Sequence, residues 1–248
     1  MPRFFVRADA VSVDENGQKQ ISIAGEDAHH LTHVLRVRTG EEIIVCDMAG
    51  REYATTVVSV GDTVLLSVVS EKQTDTEPPY EAVVYQALVK GDKMDTVIQK
   101  AVETGCSRIV PVRSGRCTVK LDAKDGKKKA ERWQRIAYEA AKQCGRGIIP
   151  IVEEPLDFRL AVNEASQMEL SLFCYEGDGT VSLSEITKQT EHPARIAVFI
   201  GPEGGFSVEE AAFAESCGMR MTGLGKRILR TETAAVFVLA CVSAAYEL

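Results

Sequence analysis

Beyond Pro79 the sequence alternates between short apolar runs and amphipathic segments, and few folds accommodate that pattern. The run "AVVYQALV" (82–89) has the continuous apolar character of a strand buried on both faces. Met94, Val97, Ile98, Ala101 and Val102 then follow the i, i+3, i+4 spacing of an amphipathic helix, which stops at Gly105. "RIVPV" (108–112) is a second strand. Trp133, Ile136, Ala137, Ala140 and Ala141 repeat the helical stripe and end at Gly145. Further strands are "IIPIV" (148–152), "ELSLFCY" (169–175), "RIAVFIG" (195–201) and "RMTGL" (220–224). Ser207 and Glu210 carry a capping-box spacing at the start of a helix over 207–217. Strand–helix alternation of this kind specifies an α/β fold with a mainly parallel sheet.

The first seventy residues read differently. "KQISIAG", "EEIIVCD", "REYATTVVSV" and "DTVLLSVVS" are short β-branched runs broken by turn residues, the pattern of a small β-barrel or sandwich. Between them, "GEDAHHLTHVLRVRTG" predicts one short helix with Ala28, Leu31, Val34 and Leu35 on one face. The polar stretch 71–81, with two prolines and no period, reads as a linker open to proteolysis. The expected domains are therefore 1–72 and 73–248.

Composition narrows the class. Of 248 residues, 45% are hydrophobic and 26% charged, which excludes a disordered or collagenous chain. The longest uncharged apolar run, 234–246, falls short of the roughly 18–20 residues that span a bilayer. Seven scattered cysteines without a C-x-x-C pair suit reduced thiols, and a cytoplasmic location is expected. A net charge of −7 argues against nucleic acid until its distribution is read. From Arg108 to Arg146 there are twelve Lys and Arg against four Asp and Glu, and Arg220–Arg230 holds four cations and no acid. Lys127–Lys129 either solvate a helix start or join this surface. Arg113, Arg116, Arg146 and Arg230, beside apolar strand ends, point to a polyanion.

Ligands of parallel sheets bind beyond the carboxyl ends of the strands. Three such ends stand out: "CYEGDG" (174–179), "IGPEGGFS" (200–207) and "LGKRILRTET" (224–233). Glycines in the second let a ligand approach backbone just before a capped helix. Neither a P-loop nor G-x-G-x-x-G is present. His29 and His33 could share a helix face, but no third ligand accompanies them and no metal is expected. G-x-S-x-G is absent too.

The motifs "LGKRILRTETA", "IGPEGGFS", "LVKGDKMDTVIQKAVETG" and "AAKQCGRGIIP", in this arrangement, resemble the bacterial 16S ribosomal RNA uracil-N3 methyltransferases of the SPOUT superfamily. "HHLTHVLRVRTGEEI" is similar to that family's N-terminal PUA-like RNA-binding barrel. Thr104 and Cys144 depart from the usual pattern, away from the ligand loops. The resemblance covers nearly the whole chain and implies a C-terminal trefoil knot, a homodimer paired along that knot, and S-adenosylmethionine as cofactor. The positions that would hold the cofactor are Tyr175 and Glu176; Ile200, Gly201, Glu203, Gly204 and Gly205; and Leu224, Gly225, Ile228, Leu229 and Thr231. Thr231 would cap the last helix.

The reaction implied is methylation of N3 of a uridine in 16S rRNA, within a partly or fully assembled small subunit. That nitrogen holds its proton about as firmly as a phenol, near pKa 10. Arg230 is the candidate cation for the developing anion, and Glu203 or Glu232 could accept the proton. Either carboxylate could instead be structural, Glu232 as a helix cap and Glu203 as a brace for its loop. The RNA-binding candidates are Arg3, Arg7, His30, Arg36, Arg38, Lys90, Lys93, Arg113, Arg116 and Arg146. Two other readings stay open: an enzyme of the same fold acting on another RNA such as tRNA, and a non-catalytic RNA-binding protein.

Overall fold

The computed structural model describes residues 1–248. It contains two compact units, one of Met1–Glu77 with Ala141–Ile149, the other of Pro78–Ala140 with Pro150–Leu248. The division falls at Glu77 rather than at residue 72, and the first unit is discontinuous in sequence.

In the first unit, β1 (Arg3–Phe5), β2 (Val11–Val13), β3 (Lys19–Ile23), β4 (Glu42–Cys46), β5 (Arg51–Ser59) and β6 (Val64–Gln73) form one sheet in the order β1-β4-β5-β6-β3-β2. Neighbours are antiparallel except β1 and β4. Ile21 and Ile23, Tyr53 and Val57, and Val64 and Leu66 send alternate side chains into one core around Phe4 and Leu31. The predicted helix is shorter than its pattern. α1 (Gly25–His29) passes into a π-turn over His30–Leu35, which ends at Arg36 with φ 53°. A π-turn bonds i to i+5, so the 3.6-residue register is lost. Ala28 and Leu31 are buried as expected, but Val34 and Leu35 are 62% and 43% exposed.

The stretch read as an open linker is tethered. Glu77 accepts hydrogen bonds from Arg146 Nε (3.1 Å), the Gly147 amide (3.0 Å) and the Ile148 amide (3.2 Å), all within the first unit. Proteolysis there is not the expected first event.

The second unit holds β7 (Glu81–Ala87), α2 (Lys93–Glu103), β8 (Arg108–Arg113), α3 (Ala123–Cys144, its last turn in the first unit), β9 (Ile151–Val152), β10 (Leu156–Asp157), α4 (Phe158–Ala165), β11 (Leu170–Cys174), β12 (Val181–Ser182), α5 (Leu183–Gln189), β13 (Arg195–Ile200), α6 (Val208–Ser216), β14 (Arg220–Gly223) and α7 (Thr231–Tyr246). Its eight strands are all parallel, in the order β10-β8-β7-β13-β11-β14-β12 with β9 beside β8. Thus β13 lies between β7 and β11, although it follows both in sequence. Phe158, Phe173, Phe199 and Phe206 pack ring against ring beneath the sheet's carboxyl edge. α6 begins with the expected capping box, Ser207 and Glu210 bonding each other's backbone amides. No helix is long and apolar enough to cross a membrane.

α7 packs on α2, α5 and β13 through Ala234, Ala235, Val238, Leu239 and Val242. Its opposite stripe, Thr233, Phe237, Ala240 and Ala244, is exposed. A groove of about 630 Å³ runs beside it, between α5 and α7.

Candidate active site

A cavity of about 370 Å³ opens at the carboxyl ends of β11, β13 and β14. Its floor is the loop Gly201–Gly205, and the loop is braced along its length. Gly205 adopts φ +64° and closes a turn onto the Pro202 carbonyl at 3.0 Å. Glu203 accepts from Lys93 Nζ at 2.8 Å and from the Lys90 amide at 3.3 Å. Arg116 Nη1 donates to the Gly204 carbonyl at 3.0 Å. The Gly115 amide donates to Glu210 at 2.7 Å, fastening the same segment to the start of α6. Thr231 Oγ1 donates to the Gly201 carbonyl at 2.7 Å.

These contacts sort the proton-accepting candidates. Partial burial alone would raise the Glu203 carboxyl, but the Lys93 ammonium and the backbone amides of Glu203 and Lys90 outweigh it and hold it below the usual carboxylate range. An ionised, ion-paired glutamate suits a brace better than a proton acceptor. Glu232 differs. It lies in the first turn of α7, and its Oε2 is buried at the cavity with no hydrogen-bond partner. The helix cap is Arg230 (φ −65°, ψ 150°), one residue earlier than expected, and no side chain caps it. Thr231 is the first helical residue, with its hydroxyl committed to Gly201. Arg230 itself is exposed at the cavity wall.

Of the cofactor candidates, Tyr175, Glu176, Ile200, Gly201, Glu203 and Gly205 line the cavity from two strand ends. Leu224, Gly225, Ile228, Leu229 and Thr231 line it from the third. Gly204 does not. A Cβ there would meet Arg116 at an ordinary 3.6 Å, facing away from the cavity. Pro202 and Cys174, within the strand ends singled out in the sequence, also line it, and Thr180, Gly223 and Ala234 line it without having been among the cofactor candidates. Burial pushes the Cys174 thiol up to about 12, so it stays protonated.

The cation candidates divide. Lys93 reaches the cavity wall through its pair with Glu203, beside the Lys90 amide. Arg113 donates to the Pro155 carbonyl at 2.7 Å and pairs with Asp157. Arg3 is paired with Glu52 at 2.7 Å, and the His30 ring stands edge-on to Phe4. Arg7, Arg36 and Arg38 are exposed. Arg146 is only 4% exposed and held by Glu77, so it offers no surface to RNA. His29 and His33 stack on each other at 4.3 Å.

This parallel sheet with a glycine-floored cavity at its carboxyl edge, preceded by a small separate sheet, matches the family models of an RNA methyltransferase domain and its PUA domain. The model of the RNA methyltransferase domain matches residues 76–243, and that of the RNA methyltransferase PUA domain matches residues 23–68. Ribosomal RNA small subunit methyltransferase E of Bacillus subtilis (strain 168) is 34% identical over 254 residues, covering 100% of this chain and 98% of that protein. Its counterpart from Synechocystis (strain PCC 6803) is 33% identical, covering 92% of this chain and 74% of the relative. The crystal structure of the Neisseria gonorrhoeae enzyme bound to S-adenosyl methionine superposes with a TM-score of 0.85 at 29% identity, covering 99% and 98% of the two chains. The chain belongs to the ribosomal RNA small subunit methyltransferase E family.

The family's methyl donor is S-adenosylmethionine, and the cavity suits it. Gly201 and Gly205 leave the floor free of side chains. A Cβ at Gly201 would stand 3.2 Å from the Phe206 ring, and one at Gly205 only 2.2 Å from Glu176 Oε1. Glu176 supplies a carboxylate acceptor for a ligand's hydroxyl or ammonium groups. Gly205→Ala combines a displaced Glu176 with a left-handed backbone that costs a side-chain-bearing residue about 1–2 kcal/mol. It is expected to weaken S-adenosylmethionine binding roughly tenfold, by about 1.4 kcal/mol, in titration calorimetry. Gly204→Ala should bind within about twofold of the unaltered chain, an effect below 0.5 kcal/mol.

Proposed function

We propose that this enzyme methylates N3 of a uridine in 16S rRNA. The observation that carries the reading is the pairing, on one turn at the cavity wall, of the exposed Arg230 with the unpartnered Glu232 oxygen. S-adenosylmethionine supplies, when bound, a methyl group activated by a positively charged sulfur. The chain must hold the imide nitrogen deprotonated and aimed into the cavity. Arg230 would stabilise the charge that spreads onto the uracil oxygens as the proton leaves. Glu232 Oε2 would accept that proton, and Glu203 would keep the loop in place.

Mass-spectrometric mapping of RNA from small subunits incubated with the enzyme and methyl donor tests the assignment. 3-Methyluridine is the expected product. A carbon- or ribose-methylated nucleotide in its place would overturn it, and a modified tRNA would move the substrate.

The RNA grip is assigned to Arg7, Arg36 and Arg38 on the first unit, with Lys93 and Arg116 beside the cavity. Replacing Arg38 by Ala should flatten the log–log salt dependence of RNA binding by about one unit. An unchanged slope would move the RNA surface elsewhere. The exposed stripe of α7 is read as the contact between two copies of the chain, and the strands that end at the cavity as a knotted segment. Sedimentation of a stable monomer at micromolar concentration would sink the dimer. Early proteolytic cleavage within 182–224 would count against the knot. Working on rRNA, the enzyme belongs in the cytoplasm.

A further inference from the structure

Gln86 is an anomaly in its strand. Residues 82–87 of β7 are all buried; Tyr85 and Gln86 are both 0% exposed, but the Tyr85 hydroxyl bonds Glu164, whereas Gln86 keeps an unpartnered oxygen. A buried amide is unfavourable unless its hydrogen bonds are made. Its Nε2 donates to the Ala87 carbonyl and to Thr231 Oγ1, both at 2.9 Å, while its Oε1 has no partner. Leucine or methionine would fill the space without that orphaned oxygen.

The hydrogen-bond directions are forced. The Ala87 and Gly201 carbonyls can only accept. The amide nitrogen must therefore face Ala87, and the Thr231 hydroxyl must give its proton to Gly201. A single oriented chain, Gln86 to Thr231 to Gly201, results. It begins on a central strand, where Gln86 is in register with Ile200 of β13, and ends at the first residue of the cavity floor. Its middle member stands between Arg230 and Glu232.

We propose that Gln86 is a positioning residue. Through the Thr231 hydroxyl it sets the separation between the glycine loop and the first turn of α7, and so places the cofactor floor and the Arg230–Glu232 pair together. Gln86 itself does not line the cavity; it acts through Thr231 and Gly201, which do. The inference rests on the proposed role of that turn, and its binding measurement stands apart from that role.

The test uses the full-length chain with Thr231→Val, Thr231→Ser, Gln86→Met and the double variant Gln86→Met/Thr231→Val. For each, S-adenosylmethionine affinity is measured by calorimetry, the single-turnover rate on small subunits by radiolabel, and the unfolding midpoint by denaturant. Thr231→Val should weaken the cofactor about tenfold and slow turnover as much as a hundredfold, the scale on which misplacement of about 1 Å acts. Thr231→Ser, which keeps the hydroxyl, should recover most of both. Gln86→Met should fall between, and the double variant should be no worse than Thr231→Val, because the chain is already cut. Effects that multiply, or variants that lose stability yet bind and turn over at the unaltered level, would overturn the proposal. A silent Arg230→Ala beside a Thr231→Val that still weakens the cofactor would support the relay while removing the proposed chemistry.

Discussion

Replacing Arg230 by alanine should slow methylation about a hundred- to a thousandfold and leave S-adenosylmethionine affinity nearly unchanged, the loss seen when one donor to a developing oxyanion is removed. The variant is a clean one. Arg230 caps α7 through its backbone carbonyl, which accepts from the Thr233 and Ala234 amides, and its side chain takes no part in the cap. Alanine preserves that carbonyl, so the helix start survives and the guanidinium alone is lost. A group that acts only as charge develops lowers kcat and kcat/KM together. Equal loss of cofactor affinity and rate would instead make Arg230 a binding residue. Glu232→Gln is its companion. If Glu232 takes the proton, the variant's remaining rate should climb with pH as solvent hydroxide substitutes for the missing base.

Arg146→Ala should destabilise the chain by about 3 kcal/mol, the low end for breaking a buried ion pair, since Glu77 keeps part of its hydration. The guanidinium is enclosed, and the carboxylate it neutralises also gathers the Gly147 and Ile148 amides. Removing the arginine leaves a mostly desolvated negative charge without its cation. Denaturant unfolding followed by circular dichroism checks this. At a temperature where the variant remains folded, its RNA-binding salt slope should match that of the unaltered chain. An unshifted midpoint together with a slope reduced by about one unit would return Arg146 to the RNA surface.

Arg146 shows where sequence reading ran out. Its basic neighbourhood was visible, but the acid that claims it lies 69 positions away, and charge clustering carries no information about burial. The glycines failed for a related reason. Gly204 and Gly205 are adjacent and alike in sequence, and only φ and the direction of each missing Cβ tell the cavity-facing one from the Arg116-facing one. Local signals did better. Strand runs, the Ser207–Glu210 box and the glycine stops at 105 and 145 depend on neighbours within a few residues and stand where their patterns placed them, except that the run over 148–152 is strand only at Ile151–Val152. Two short helices were legible and overlooked. Phe158, Ala161, Val162 and Ala165 carry helical spacing in α4, and the Ser182 hydroxyl accepts from the Glu185 amide at the start of α5. The Val34–Leu35 error had no sequence remedy, because a π-turn replaced the register on which the face was counted.

The discontinuity of the first unit bears on how the chain is made. Lys142 lies over the Phe4 ring at 4.2 Å, and the Arg146 carbonyl faces Arg3 at 3.4 Å. Residues near the very start thus wait for a segment synthesised more than 130 residues later. On a ribosome that adds roughly 5–20 residues each second, that interval is about seven to thirty seconds. For the last 69 residues of it Glu77 is present without its arginine, and the small sheet is missing its strap. A nascent chain arrested before residue 141 should therefore be protease-sensitive in its first seventy-seven residues, and one arrested after residue 149 has cleared the exit tunnel should be resistant there.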